Sequence, residues 1–290
     1  MSQPSFETLN LRKTPKISDK EFVDLRNFIY ESTGIDIPEK RKYLLETRLG
    51  TRLKDLSLNT FGDYFNYLKF DPGKTREMEN LFQQITTNET SLFRDVKQLQ
   101  VFEDFVLKDI LERQASTKEL NIWSAGCSSG EEPYTLGIML HEALRMAIIG
   151  WRVRITANDL SSAMLEKARR GVYNDYAIRT TPPDILNKYF TKETDGYKIH
   201  PKVAKLVTFS QINLNDRLAL KKIPKSHVVF CRNVIIYFDD EMKKKVISAF
   251  YDNLHPDGYL VLGHSESIHK ISRSFQPVMK PGGIVYKRMS

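Results

Sequence analysis

Residues 121–134 read NIWSAGCSSGEEPY: an apolar run with the look of a buried strand, two glycines four positions apart, two adjacent glutamates and a proline. The spacing G-x-x-x-G departs from the G-x-G-x-x-G of dinucleotide loops. Gly126 ends the strand, Gly130 lets the backbone bend close past a ligand, and Pro133 suits a first helical turn. For a pyrophosphate, Glu131 and Glu132 place negative charge where a dianion needs donors. For a ligand carrying an ammonium or sulfonium, the same charges help. Glutamates in a first turn also serve as plain partners of the helix dipole, so the loop alone leaves both readings open.

On either side of this stretch the chain changes character. From residue 121 onward, β-branched runs at 153–159 (VRITAND), 206–214 (LVTFSQINL), 227–233 (HVVFCRN) and 258–265 (GYLVLGHS) alternate with helical patterns. That alternation predicts βαβ units and a parallel sheet covered on both faces. The ending SFQPVMKPGGIVYKR (274–288) differs, and reads as an antiparallel hairpin around Pro-Gly-Gly. Between Gly171 and the strand at 206 lies more chain than a crossover needs, with a TDGYK turn, so an inserted β subdomain is expected over 178–206.

Upstream, the periodicity is helical. Ser18 and Glu21 have capping-box spacing, ahead of apolar positions Phe22, Leu25, Phe28 and Ile29. From Glu39 to Leu56, Leu45, Leu49, Leu53 and Leu56 form one stripe, with Arg41, Arg48 and Arg52 forming a basic stripe beside it. This stripe reads equally as a solvated edge or as a docking surface for an acidic partner. The expected division is a frayed tail (1–17), an N-terminal helical domain (18–85), a linker (86–95) and the main α/β domain (96–290).

The 290 residues carry a formal charge of +8, yet residues 1–95 hold 15 basic and 15 acidic side chains, and the excess beyond them is scattered. This argues against nucleic-acid binding. No apolar run approaches the ~20 residues of a membrane span and no secretory leader is visible, so a cytoplasmic protein without membrane insertion is expected. Cys127 and Cys231 are too few for a disulfide framework or a metal site and read as small buried residues.

In an open parallel sheet, ligands sit beyond the carboxyl ends of the strands. Asp159 ends the second strand, where a carboxylate suits ribose hydroxyls, although it could instead cap the helix beginning at Ser161. An acidic loop with such an aspartate favours S-adenosylmethionine over a dinucleotide. The fourth strand ends FCRNVIIYFDD (230–240), offering Arg232, Asn233 and Tyr237, and TTNETSLFR (86–94) brings Asn88, Thr90 and Arg94. His264 and Ser265 lack an acid partner and read as loop-stabilising.

TTNETSLFR, WSAGCSSGEEPYT, ANDLSSAMLEKARRGVY, FSQINL, FCRNVIIYFD and GYLVLGHSES, in this order, resemble the CheR family of chemotaxis receptor glutamate methyltransferases. The resemblance runs from about Ser18 to the C-terminus. It implies a Rossmann-like S-adenosylmethionine-dependent methyltransferase sheet, a small all-helical N-terminal domain and a three-stranded antiparallel insertion. It further implies that Asn88, Thr90, Arg94, Glu132, Asp159, Asn213, Leu214, Arg232 and Asn233 line the cofactor site. Arg94 and Tyr237 would face the reacting methyl group, with Arg41, Arg48 and Arg52 on a receptor-facing helix. The implied activity is formation of glutamate methyl esters on the cytoplasmic helices of chemoreceptors by a monomer, with S-adenosylhomocysteine as product. Some family members grip a receptor tail with an insertion carrying an extra Gly-x-Gly loop; KETDGYKIHPKVAK (192–205) shows none, so no tether is expected.

Overall fold

The computed structural model describes residues 15–289. The tail expected over 1–17 lies mostly outside them. Ile17, at its end, is buried, and its N–H donates to Glu46 Oε2 at 3.1 Å.

The chain divides into two compact units, one formed by residues up to Ile29 together with Ile37–Ile85, the other by Tyr30–Asp36 with Thr86 onward. The first is helical: α1 (Asp19–Thr33, its last turn belonging to the second unit), α2 (Lys42–Asp55), α3 (Phe61–Phe70) and α4 (Lys74–Ile85). Ser18 and Glu21 form the expected reciprocal cap on α1, the Ser18 N–H reaching Glu21 Oε2 at 2.9 Å and the Glu21 N–H reaching Ser18 Oγ at 3.3 Å. Leu45, Leu49 and Leu53 are buried along α2 with Phe22, Leu25, Phe61 and Tyr64.

The arginines beside that stripe differ in fate. Arg41 is exposed and lies in a short 3₁₀ turn before α2. Arg48 donates to the carbonyls of Gln84 (3.3 Å) and Ile85 (3.1 Å) at the end of α4. Arg52 grips Glu77 with Nε (2.9 Å) and Nη2 (2.8 Å), and Tyr64 donates its hydroxyl to the same carboxylate at 2.8 Å. Burial opposes the charge on Glu77, but these donors and Asn80 outweigh it and hold the carboxyl below its ordinary value. Two of the three expected docking cations thus brace their own unit.

In the second unit, α5 (Val96–Val101) and α6 (Lys108–Arg113) are joined by a π-helical turn and lead into β1 (Glu119–Ala125). Then follow α7 (Glu131–Leu144), β2 (Arg152–Asp159), α8 (Ser162–Arg170), β3 (Val172–Tyr173), α9 (Asp175–Ile178), α10 (Pro183–Tyr189), β4 (Phe190–Glu193), β5 (Gly196–Ile199) and α11 (Pro201–Ala204). The chain ends with β6 (Val207–Gln211), α12 (Arg217–Leu220), β7 (Ser226–Cys231), α13 (Asp240–Asn253), β8 (Leu254–Leu262), β9 (Phe275–Lys280) and β10 (Gly283–Arg288).

The main sheet has the order β6-β2-β1-β7-β8-β10-β9, parallel through β8 and closed by the antiparallel β9–β10 hairpin. Its faces alternate with period two. Ile122, Val228 and Phe230 join Phe102, Val106 and Leu136 on one side, while Trp123, Val229 and Cys231 join Val246 and Phe250 on the other. A second sheet, β3-β5-β4, is antiparallel. It begins at Val172, six residues before the expected insertion boundary of 178, because Gly171 (φ +58°) ends α8 and turns the chain straight into β3.

Candidate active site

Because β6, β2, β1, β7 and β8 are parallel, the segments after Gln211, Asp159, Ala125, Cys231 and Leu262 gather at one edge of the sheet. The chain runs from β1 outward through β2 to β6 on one side and then crosses back to β7 on the other, so the strand order switches at β1, the place where open α/β sheets hold their ligands.

The loop after β1 is left-handed at Gly126 (φ +75°), Ser128 (φ +48°) and Gly130 (φ +92°). A Cβ on Gly126 would lie 2.5 Å from Val234 Cγ2, and one on Gly130 would lie 2.8 Å from Ala168 Cβ. Both glycines are therefore demanded by the protein's own packing; for Gly130 this stands in place of the close approach to a ligand expected from the sequence. Asp159 bridges this loop to β2: Oδ2 accepts from the Ser128 N–H at 2.8 Å and Oδ1 from the Ser161 N–H at 2.9 Å. Ser161, not Asp159, caps α8 with its own side chain. Each Asp159 oxygen keeps a lone pair for a further donor. Burial pushes this carboxyl up, against the pull of its backbone donors.

The paired glutamates separate. Glu131 is buried and takes the Ser129 hydroxyl at 2.9 Å, and burial pushes it up to about 7. Glu132 accepts from Ser124 Oγ at 2.8 Å and pairs with Arg232 at 3.5 Å. Burial raises its carboxyl, opposed chiefly by Arg232.

Arg232 is a hub. Its side chain is 5 % exposed, its Nε donates to Gln98 Oε1 at 2.8 Å, and its Nη2 donates to the Arg94 carbonyl at 2.6 Å. Gln98 in turn donates to the Leu262 carbonyl. One guanidinium so joins the 86–95 linker, α5 and α7 to the end of β7.

The linker itself is fastened to α9 and α7. The Leu92 N–H reaches the Ala177 carbonyl (2.9 Å), Tyr176 donates to Glu89 Oε1 (2.6 Å), and the Phe93 N–H reaches Thr135 Oγ1 (3.0 Å). Arg94 donates one hydrogen bond, to the Glu89 carbonyl at 2.9 Å, and Asn88 donates to Thr86 Oγ1 at 3.1 Å. Thr90 is half-buried on the same segment.

Past β6, Leu214 is buried, and both ends of the Asn213 amide are engaged. Nδ2 donates to the Ser32 carbonyl at 2.6 Å and Oδ1 accepts from the Asn215 N–H at 2.9 Å. Tyr237 is held by its backbone: its N–H reaches the Val234 carbonyl at 3.1 Å, and its carbonyl accepts from the Asp36 N–H at 2.9 Å. Tyr30 supports the same loop, donating its hydroxyl to Asp239 Oδ2 at 2.9 Å.

Sequence reasoning passed over two residues here, Gln98 and Glu266. His264 and Ser265 are exposed, and the neighbouring Glu266 is the residue that binds the loops together. Its carboxylate accepts four backbone N–H groups, from Gly263, Asn233, Val234 and Ile236. The acidic residue in GHSES was the available signal.

Two family models cover nearly the whole chain: the CheR methyltransferase all-alpha domain matches residues 20–86 and the CheR methyltransferase SAM-binding domain matches 88–284. The chain belongs to the CheR methyltransferase family. A chemotaxis protein methyltransferase 2 of Vibrio cholerae is 36 % identical over 261 residues, covering 89 % of each chain. The chemotaxis protein methyltransferase of Borreliella burgdorferi is also 36 % identical, over 87 % of this chain and 89 % of the relative. That of Salmonella typhimurium is 33 % identical over 94 % of each. This CheR-family chain is an S-adenosylmethionine-dependent methyltransferase. Its residues suit that cofactor: Asp159 has acceptor capacity left for hydroxyls, Glu132 supplies negative charge, and the buried hydroxyl of Ser128, whose N–H donates to Asp159, has no partner among the described residues. Among the described residues, no helix is long and apolar enough to cross a membrane.

Proposed function

We propose that this CheR-family enzyme esterifies glutamate side chains on the cytoplasmic helices of chemoreceptors. The observation that carries the substrate reading is the state of Arg94, whose guanidinium, among the described residues, donates to one carbonyl and keeps donors for an incoming carboxylate.

When bound, S-adenosylmethionine supplies an electrophilic methyl group. The acceptor needs no general base, because a glutamate side chain with a reference pKa of ~4.3 is already an anionic nucleophile near neutrality. What this chain's residues contribute is alignment. Arg94 orients the acceptor carboxylate, and Tyr237, whose hydroxyl has no partner among the described residues, donates a hydrogen bond that fixes its geometry. Asp159 takes the ribose hydroxyls, while Glu132 balances positive charge on the cofactor. Leu214 and the backbone of Asn213 close the adenosine side; the Asn213 side chain is committed elsewhere. Positioning of this kind can supply up to ~7–11 kcal/mol in ideal cases.

For receptor docking, Arg41 is the exposed member of the basic set, and Arg48 and Arg52 shape the helical unit behind it. The protein is read as a cytoplasmic monomer that binds no nucleic acid and does not insert into the membrane. The deciding experiment is transfer of a labelled methyl group into receptor protein. An alkali-labile label supports the ester, and a base-stable label on protein or nucleic acid overturns it.

A further inference from the structure

We propose that Glu266 is a positioning residue for methyl transfer, its carboxylate clasping the backbone of residues 233–236 so that Asn233 and Tyr237 are presented to the cofactor and the acceptor. The inference rests on the functional reading above and deepens it.

After β7 ends at Cys231, the chain must turn back toward α13, and it does so through Asn233 in the left-handed region (φ +60°). That turn directs several N–H groups inward with no strand to receive them. Glu266 Oε2 accepts from Asn233 at 2.7 Å and Gly263 at 2.6 Å, and Oε1 accepts from Val234 at 2.9 Å and Ile236 at 3.3 Å. The residue is 8 % exposed, so water does not offer an alternative. Two carboxylate oxygens have about four acceptor sites, and all four are used.

The opposing loop is built for the same approach. The Glu266 N–H closes a tight turn on the Gly263 carbonyl at 2.9 Å. A Cβ on Gly263 would sit 2.6 Å from Glu266 Oε2 and 3.0 Å from the Asn233 nitrogen. Glycine at 263 is what lets the carboxylate reach the loop after β7. With the clasp at 233–236 and the Asp36–Tyr237 bond at its far end, the segment bearing Tyr237 is fixed at both ends.

The chemistry of replacement separates this role from simple packing. Glutamine at 266 fills the same space but has one acceptor oxygen, and its NH₂ would oppose two of the four N–H groups. The loop must then shift although the volume is unchanged.

The test is a double-mutant cycle in the full-length enzyme, combining Glu266→Gln with Tyr237→Phe. Single-turnover labelled methyl transfer to receptor is read alongside S-adenosylhomocysteine binding and thermal unfolding. The expected result is that Glu266→Gln lowers the transfer rate about 10-fold or more, and that Tyr237→Phe then costs much less in this background than in the parent. Gly263→Ala, which keeps the charge but displaces the carboxylate, should reproduce the loss and replaces Glu266→Gln if that variant does not fold. A folded Glu266→Gln enzyme with the parent's rate, or two penalties that simply multiply, overturns the proposal. A parent that binds S-adenosylhomocysteine but labels no receptor overturns the substrate reading instead.

Discussion

Arg232 and Glu132 meet at 3.5 Å, with side chains 5 % and 15 % exposed, so the strand after the crevice and the helix before it are tied by a buried ion pair. Removing one partner of such a pair leaves an uncompensated charge, at a cost of about 3–5 kcal/mol. Arg232→Met should therefore unfold at markedly lower denaturant, and adding Glu132→Gln should return part of the loss. Chemical denaturation of the two single variants and the double variant measures this coupling.

Asp159→Ala should weaken S-adenosylhomocysteine binding at least tenfold by calorimetry. Some destabilisation should accompany it, because the Ser128 and Ser161 N–H groups lose their acceptor, at about 1–3 kcal/mol for each buried donor left unpaired. Unchanged affinity would remove the ribose assignment.

Tyr237→Phe deletes a hydroxyl whose loop is held by backbone contacts at Val234 and Asp36. Thermal unfolding and cofactor affinity should stay near the parent's while the transfer rate falls roughly tenfold, about 1.4 kcal/mol of transition-state stabilisation.

Glu131 predicts a pH dependence of stability. Its folded value of about 7 lies above the ~4.3 of an unfolded chain, so between these the native state holds a proton that the unfolded state has lost. Stability from this group is fully present below the unfolded value and is lost as pH rises through about 7, to a limit of about 4 kcal/mol. Glu131→Gln should flatten that decline, so that its unfolding temperature exceeds the parent's at pH 8 by more than at pH 5.

Charge reversal separates docking from bracing on the basic helix. Arg41→Glu should slow receptor methylation most at low salt, with unfolding unchanged. Arg52→Glu should instead destabilise the helical unit by several kcal/mol, since it sets a carboxylate against the buried Glu77. Lost activity in the Arg52 variant without lost stability would restore Arg52 to the docking surface.

The sheet was legible because short β-branched and apolar runs, clearest in β7 (SHVVFC) and the end of β8 (GYLVL), alternate with helical patterns along the chain. β3 was not, since two residues carry no period and only Gly171 marks the turn. The same contrast holds in the site. Asp159 could be nominated from its place at a strand end. Glu266 could not be assigned a role, because its partners are backbone N–H groups that every residue type supplies. Arg48 and Arg52 misled for the complementary reason: spacing shows which face they share, but not that Glu77 and the α4 carbonyls, far along the sequence, are there to receive them.

The segment Tyr30–Asp36 also changes where the enzyme can be dissected. Ile35 forms an antiparallel bridge with Phe238, Gly34 packs against Met242, and Asp36 holds Tyr237. A fragment cut at the family-domain boundary near residue 86 would keep every strand of the main sheet and still lose the backbone that flanks Tyr237. An autonomous methyltransferase half has to borrow these seven residues from upstream of that boundary.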